Sequence, residues 1–222
     1  MKKNHTPLSS LLLNFLFVTS IILSGCATKS NTAFKDSIQT ITSEQRAKQL
    51  LKKKKWQLKG KIAFIQQIKN NKGIKDKRES ASIIWQVNEK KQTQELNLTS
   101  YLGINVLHLK SNQNQHLIKV DGKEYRGTNL SQLIYSLTGL TLPTEALSFW
   151  LKGLPYKSDD KLQTDDKTLL PKRLSSYYHN ALWQINYSNY QHFNGFEMAT
   201  KFSIKKDDLL IKVAVKNWFF TN

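Results

Sequence analysis

The chain has 222 residues and carries 34 Lys+Arg against 16 Asp+Glu, a formal charge of +18. Its 39% hydrophobic and 23% charged residues suit a globular domain with a sizeable core, and 9 Gly and 4 Pro exclude a collagenous or low-complexity chain. A single cysteine, Cys26, excludes a disulfide framework and a thiolate zinc site, while the positive balance points to nucleic acid, an anionic membrane or an acidic protein as partner.

Met1–Ser10 holds Lys2 and Lys3 and no acid, and Leu11–Leu23 is apolar apart from Asn14, Thr19 and Ser20. A basic start, a short apolar run and small residues after it describe a secretory signal. The run falls well short of the roughly 20 residues of a spanning helix. Nothing later is as apolar over such a length, so no other span is predicted. The junction Leu23-Ser24-Gly25-Cys26 resembles the lipobox of bacterial lipoprotein precursors. That resemblance implies cleavage before Cys26 and a diacylglyceryl group on its thiol, with 1–25 as signal peptide and 26–41 as an acylated tether. The alternative is a plain signal peptide with a chance cysteine. Ala27 stands where an aspartate would resemble an inner-membrane retention signal. The implied location is the outer membrane, lipid-anchored and facing the periplasm.

The body, 42–222, reads as one domain. Thr42–Lys54 is predicted as a helix: Thr42 or Ser43 caps it, Glu44 suits its first turn and Lys52–Lys55 its end. Its sparse apolar positions, Ala47, Leu50 and Leu51, predict one narrow buried stripe. The Lys52–Lys55 run is either a solvated helix end or a contact for lipid headgroups. From Trp56 the period becomes 2. Trp56, Leu58, Gly60, Ile62 and Phe64 alternate with polar residues, and Ser80–Val87 makes a second strand with Ala81, Ile83, Trp85 and Val87 on one side. The segment Gln67–Glu79 between them is predicted as a polar hairpin loop.

Further strands are predicted at Thr93–Thr99, Ile104–Leu109, His116–Asp121 and Glu124–Gly127, with Asp121-Gly122 as a hairpin turn. Asn129–Leu137 and Pro143–Leu151, each with a start signal and a glycine stop, are two short helices. Strands resume at Leu169–Leu174, Leu182–Tyr190, Glu197–Ile204 and Leu209–Phe219, with a turn at Lys206-Asp207-Asp208. Regularly spaced strands interrupted by one helical pair indicate a single antiparallel sheet that curls. Its inner face is aromatic, with Phe64, Trp85, Tyr187, Phe202 and Trp218, and is either a solid core or the wall of a cavity.

Chemistry-bearing motifs are scarce. The histidines (His5, His108, His116, His179 and His192) show no metal-ligand spacing. Asp159, Asp160, Asp165 and Asp166 lack the order of a calcium loop and read as a solvated hairpin loop. No nucleophile elbow, phosphate loop or nucleotide fingerprint occurs, so neither an enzyme nor a cofactor nor a metal is predicted. Nucleic acid is disfavoured because the aromatics share strand faces with aliphatics instead of forming a lysine-striped platform.

One loop is unusual. Leu98-Thr99-Ser100-Tyr101-Leu102-Gly103-Ile104 joins two strands and must place Leu102 near its tip. Loop tips are ordinarily polar. A Leu beside a Tyr either enters something apolar outside the molecule or folds back to plug the barrel's own mouth.

The segments WQLKGKIAF (Trp56–Phe64), SIIW (Ser82–Trp85), YLG (Tyr101–Gly103), LPTEALSFWLKGLP (Leu142–Pro155), WQINYSNY (Trp183–Tyr190) and LLIKVAVKNW (Leu209–Trp218) resemble, in order and spacing, the LolB family of outer-membrane lipoprotein receptors. Tyr101 stands where that family usually carries proline. The resemblance implies a mainly β fold: an incomplete, half-open antiparallel β-barrel with a short helical lid over an apolar cavity and one N-terminal helix. It implies a receptor that accepts acylated lipoproteins from the periplasmic carrier LolA and inserts them into the outer membrane. Expected partners are LolA, the acyl chains of cargo and outer-membrane lipids, with the chain acting as a monomer. Cys26 is then the lipidation site, and Tyr101, Leu102 and Gly103 the membrane-insertion loop. The expected acyl-chain cavity is lined by Ile62, Phe64, Trp85, Leu96, Leu98, Leu133, Leu137, Leu147, Trp150 and Tyr187. The competing expectation is a structural or assembly lipoprotein with a filled barrel core that binds protein instead of lipid.

Overall fold

A computed structural model of the chain describes residues 41–70, 73–139 and 142–221. The expected signal segment (1–25), Cys26 and nearly all of the expected tether (26–41) lie outside these residues. Helix α1, Ser43–Lys52, opens with a capping box: Gln45 N donates to Thr42 Oγ1 at 3.1 Å and Thr42 N to Gln45 Oε1 at 2.9 Å. Its buried residues are Arg46 and Leu50, four apart on one stripe, while Leu51 is exposed. The helix stops before Lys54 because Lys55 already begins the first strand.

Eleven strands follow: β1 Lys55–Asn70, β2 Gly73–Asn88, β3 Thr93–Thr99, β4 Asn105–Ser111, β5 His116–Val120, β6 Lys123–Gly127, β7 Lys161–Thr164, β8 Pro171–Tyr178, β9 Ala181–Phe193, β10 Phe196–Lys206 and β11 Leu209–Thr221. Helices α2, Leu130–Thr138, and α3, Thr144–Trp150, sit in sequence between β6 and β7. The strands make one antiparallel sheet in the order β6-β5-β4-β3-β2-β1-β11-β10-β9-β8-β7. The outermost strands do not pair with each other, so the sheet is unclosed, as the half-open expectation requires.

Register lines the apolar residues up on one face. Trp218, Leu58, Trp85, Leu96, Leu109 and Ile118 form one row across β11, β1, β2, β3, β4 and β5. Val215, Gly60, Ile83, Leu98 and Leu107 form the next. The other half of the sheet continues the face through Phe202 and Tyr187, then Ile204, Ile185 and Leu174. Helices α1 and α3 pack on this face in a large cluster that includes Leu50, Trp150, Trp183 and Trp218. Helix α2 packs on its far end in a smaller one of Leu109, Ile118, Leu130 and Ile134.

Alternation in β11 changes phase once. Leu209, Ile211, Val213 and Val215 are buried, then Trp218 and Phe220. The register against β1 slips between Lys59 and Gly60, so the extra residue bulges out of β11 and returns both aromatics to the inner face. Gly60 sits at the slip, where a Cβ would lie 2.2 Å from the carbonyl oxygen of Ala214.

The structure departs from the sequence reading at three places. Gln67–Glu79 is no loop: β1 and β2 pair through it up to Asn70 and Gly73 as a long ribbon. The described side chains of that segment, Gln67, Ile68 and Lys75–Glu79, are exposed on both faces of the hairpin. Strand β7 was not anticipated, and β8 starts at Pro171 because Leu169 turns through the left-handed region, φ 56°. The acidic cluster is not wholly solvated. Asp160 Oδ2 accepts from Trp150 Nε1 at 3.3 Å and from the backbone N–H groups of Tyr156 at 2.8 Å and Lys157 at 3.2 Å.

Gly60→Ala is expected to destabilise the fold by about 2–3 kcal/mol, because backbone rather than a yielding side chain occupies the space. Urea unfolding of the variant checks this.

Candidate functional site

The loop between β3 and β4 is closed on itself: Ser100 N donates to Ile104 O at 2.8 Å and Gly103 N to Ser100 O at 3.0 Å. Gly103, at φ +79°, supplies the left-handed position that closes the turn. These bonds hold the tip outward. Tyr101 is 98% exposed, Leu102 80% and Ile104 64%, and Val106 extends the apolar surface into β4. Of the two sequence-level alternatives for this tip, folding back into the barrel is therefore not what the structure adopts.

The expected lining residues fall into two groups. Ile62 and Phe64 on β1, Leu96 and Leu98 on β3, Leu133 and Leu137 on α2, and Leu147 on α3 are half-buried. Trp85, Trp150 and Tyr187 are buried behind them in the large cluster. Leu96 packs against both clusters, and so does Leu142, so these two mark the seam where the clusters meet. Every residue of β3 is half-buried, on both of its faces. Apolar side chains are thus left part-wet along the seam, where covering them would gain about 25 cal/mol per Å².

Hydrogen bonds tie α3 and the turn after it to the sheet. Tyr187 Oη donates to Trp150 O at 2.8 Å, and Tyr178 Oη and Tyr156 Oη donate to Glu145 Oε2 at 3.4 and 3.2 Å. Burial pushes the Tyr187 phenol well up, and burial together with Glu145 pushes Tyr178 up, so both remain neutral donors. Arg46 reaches from α1: its Nη2 donates to Lys152 O at 3.3 Å and to Glu197 O at 3.2 Å, bridging the turn after α3 to β10.

Lys152, fully buried, donates to Glu89 Oε1 at 2.7 Å and lies 5.3 Å from the Phe149 ring centre and 5.8 Å from that of Trp56. Burial lowers its pKa, opposed by Glu89. Glu89 also meets Lys54 at 3.4 Å.

A cavity of about 1260 Å³ opens at the other end of the strands, and none of the expected lining residues borders it. Its wall mixes side-chain amides with Lys55, Lys91, Lys110 and Arg126 against the single carboxylate of Glu95. The signal available in sequence was a cation at the ends of successive strands, masked by a chain that is lysine-rich throughout. Trp56, Val87, Leu117 and Phe219 add apolar surface to the same wall. Among the described residues no group of His, Cys, Asp and Glu is arranged to hold a metal, and no helix is long and apolar enough to cross a membrane. His108 meets Glu95 at 2.7 Å and His116 meets Ser111 Oγ at 2.7 Å.

The profile of a protein family described as outer membrane lipoprotein LolB matches residues 54–218. The chain belongs to the LolB family. Its resemblance at the motif level is thereby confirmed over the body of the fold. The outer-membrane lipoprotein LolB of Shewanella frigidimarina is 30% identical over 95% of this chain and 95% of its own. That of Pseudoalteromonas translucida is 29% identical over 99% and 98% respectively. The crystal structure of a LolA-superfamily protein from Nitrosomonas europaea superposes with a TM-score of 0.49 at 8% identity, over 82% of this chain and 94% of that one. This LolB-family chain is an outer-membrane lipoprotein of the lipoprotein-localisation pathway and not an enzyme.

The pairing around Glu89 is asymmetric, and the two partners should respond differently. Glu89→Gln strands a buried cation and is expected to cost about 3 kcal/mol. Lys152→Met leaves a part-exposed carboxylate that keeps Lys54, so it should cost less than half as much. Denaturant unfolding of the two variants side by side checks the order.

Proposed function

We propose that the chain is the outer-membrane receptor that takes acylated lipoproteins from the periplasmic carrier LolA, holds their acyl chains on its inner face, and releases them into the outer membrane. Cys26 carries the lipid that tethers the body at the periplasmic side, with two or more acyl chains giving stable attachment. The binding surface is the half-buried set of Ile62, Phe64, Leu96, Leu98, Leu133, Leu137 and Leu147, backed by Trp85, Trp150 and Tyr187. Tyr101, Leu102 and Gly103 form the loop that enters the bilayer.

The observation that carries this reading is the 80% exposed Leu102, held outward by its own turn at one end of the sheet. An isolated exposed leucine needs no explanation, but a backbone-braced turn presenting Tyr, Leu and Ile together does. The energetics set the direction of transfer. An acyl chain of about 16 carbons exposed to water costs on the order of 10 kcal/mol. Without a nucleotide cofactor each handover must run downhill, so the receptor must hold a chain better than the soluble carrier and worse than a bilayer. A part-wet apolar seam meets both demands: it offers unfilled contact area, yet it keeps one side in water.

The deciding experiment mixes a LolA–lipoprotein complex with the chain and then adds vesicles, following where the acylated protein goes. Leu98→Lys, which puts a charge on the seam, is expected to lower capture at least tenfold. Unchanged capture would favour a filled core that binds protein. Leu102→Glu is expected to capture normally and to deliver at least tenfold more slowly, since a carboxylate at the tip resists entry into hydrocarbon. Normal delivery by that variant would remove the loop from the mechanism.

A further inference from the structure

The ribbon that replaced the expected loop has a location and a charge that the transfer reading leaves unused. Strand β1 pairs with β11 only as far as Gln66, opposite Leu209, and β2 pairs with β3 only from Ser82, opposite Thr99. Beyond those points β1 and β2 pair with each other alone, up to Asn70 and Gly73. At about 3.4 Å per residue the arm reaches roughly 14 Å past its last contact with β11. The free edge of β2 before Ser82 runs past the end of β3, and that end leads directly into the Tyr101–Gly103 turn. The arm and the apolar tip therefore share one end of the sheet, and the cation-walled cavity lies at the other.

In sequence the arm, 67–79, holds Lys69, Lys72, Lys75, Lys77 and Arg78 against Asp76 and Glu79. Lys75, Lys77 and Arg78 are exposed, as is Ile68 at 45%. Lys77 meets Glu79 at 2.9 Å, which leaves Lys75 and Arg78 with no acid partner of their own among the ion pairs of the described residues. Phase carries meaning here as well. Lys75 and Lys77 continue the inner-face side of β2 that holds Ala81, Ile83 and Trp85, opposite Ile68 and Gln66, while Arg78, opposite Ile65, stands on the other face of the two-stranded arm. Past the seam, then, the face that carries half-buried Ile62 and Phe64 passes Glu79, opposite Phe64, and ends in Lys77 and Lys75. Apolar row followed by cations is the order in which a lipid presents tail and phosphate.

We propose that the β1–β2 arm is a membrane-docking arm for anionic phospholipid, with Lys75, Lys77 and Arg78 on headgroup phosphates beside the point where Leu102 enters. This rests on the reading that the Leu102 end of the sheet faces the bilayer, and it adds a lipid class and a second contact to it. A Lys or Arg close to an anionic surface is worth about fivefold in affinity, and the attraction is screened by salt. Charges on this edge also discourage pairing with another sheet. That role, however, calls for no lipid dependence.

The test uses the acylated chain carrying Gln67→Cys, whose thiol is free while Cys26 is acylated, labelled with a polarity-sensitive fluorophore. The labelled chain is placed in vesicles of phosphatidylethanolamine with phosphatidylglycerol, or of phosphatidylcholine alone. The expected result is a blue-shifted emission on the anionic vesicles only, reversed by about 0.5 M salt. The combined variant Lys75→Glu, Lys77→Glu, Arg78→Glu should lose the shift and slow delivery to anionic vesicles at least tenfold, with capture from LolA unchanged. Equal spectra on the two vesicles, or a shift that requires LolA instead of anionic lipid, overturns the proposal. If the triple variant misfolds, the lipid and salt comparisons on the unsubstituted arm still decide. Leu102→Glu separates the two readings: it should keep the shift and lose delivery. Normal delivery by it would sink the insertion loop while leaving the arm standing.

Discussion

An eleven-stranded sheet with two free ends concentrates its apolar residues on one face, and the fold is organised by the need to cover that face. Three short helices are available among the described residues. Helices α1 and α3 cover the half built from β1, β2 and β8–β11, where Trp150, Trp183 and Trp218 are fully buried. Helix α2 covers the end of β4 and β5. Between them the cover is thin, and β3 with its neighbours stays half-wet. Stability and the candidate binding surface thus come from the same apolar rows, divided by where the helices happen to sit.

What holds those helices in place is polar and buried. Arg46, Lys152 and Tyr187 bond backbone carbonyls or Glu89 across the interface between helices and sheet. Groups of this kind contribute little net stability when satisfied and cost much when one partner is lost. Their effect is to allow one seating of α3 and its turn over the sheet. For the proposed holding of hydrocarbon on this face, a cover fixed by directional bonds is better suited than one held by apolar contact alone, which would slide to fill the seam.

The two ends of the sheet differ in kind. One carries an apolar braced turn beside a cationic ribbon, and the other a broad cavity whose wall mixes cations and amides with apolar side chains. The proposed transfer of cargo from water to a bilayer calls for such polarity of the ends, because an apolar tip serves lipid and would be a liability where a soluble partner docks.

Much of this was legible in order along the chain. Alternation of period 2 marked most strands to within a residue or two, because apolar residues line one face of each whether or not that face is fully sealed. Asn129 with Gly139 bracketed α2, since Asn129 Oδ1 caps Gln132 N and Gly139 takes φ +69°. The tip leucine stood out because a turn that short has nowhere to hide it. The acidic residue Asp160 and the short β7 were missed, since their partners are remote or lie on an edge strand with only weak alternation.

By itself the sequence determined the strands, the family motifs and the odd apolar turn, all of which are local patterns that persist whatever surrounds them. Only the tertiary structure decided which apolar residues are sealed and which stay half-wet, because that depends on where helices distant in sequence come to rest. It also turned Gln67–Glu79 from loop into ribbon: solvation on both faces erases the alternation that would reveal a strand, and backbone pairing leaves no mark on composition.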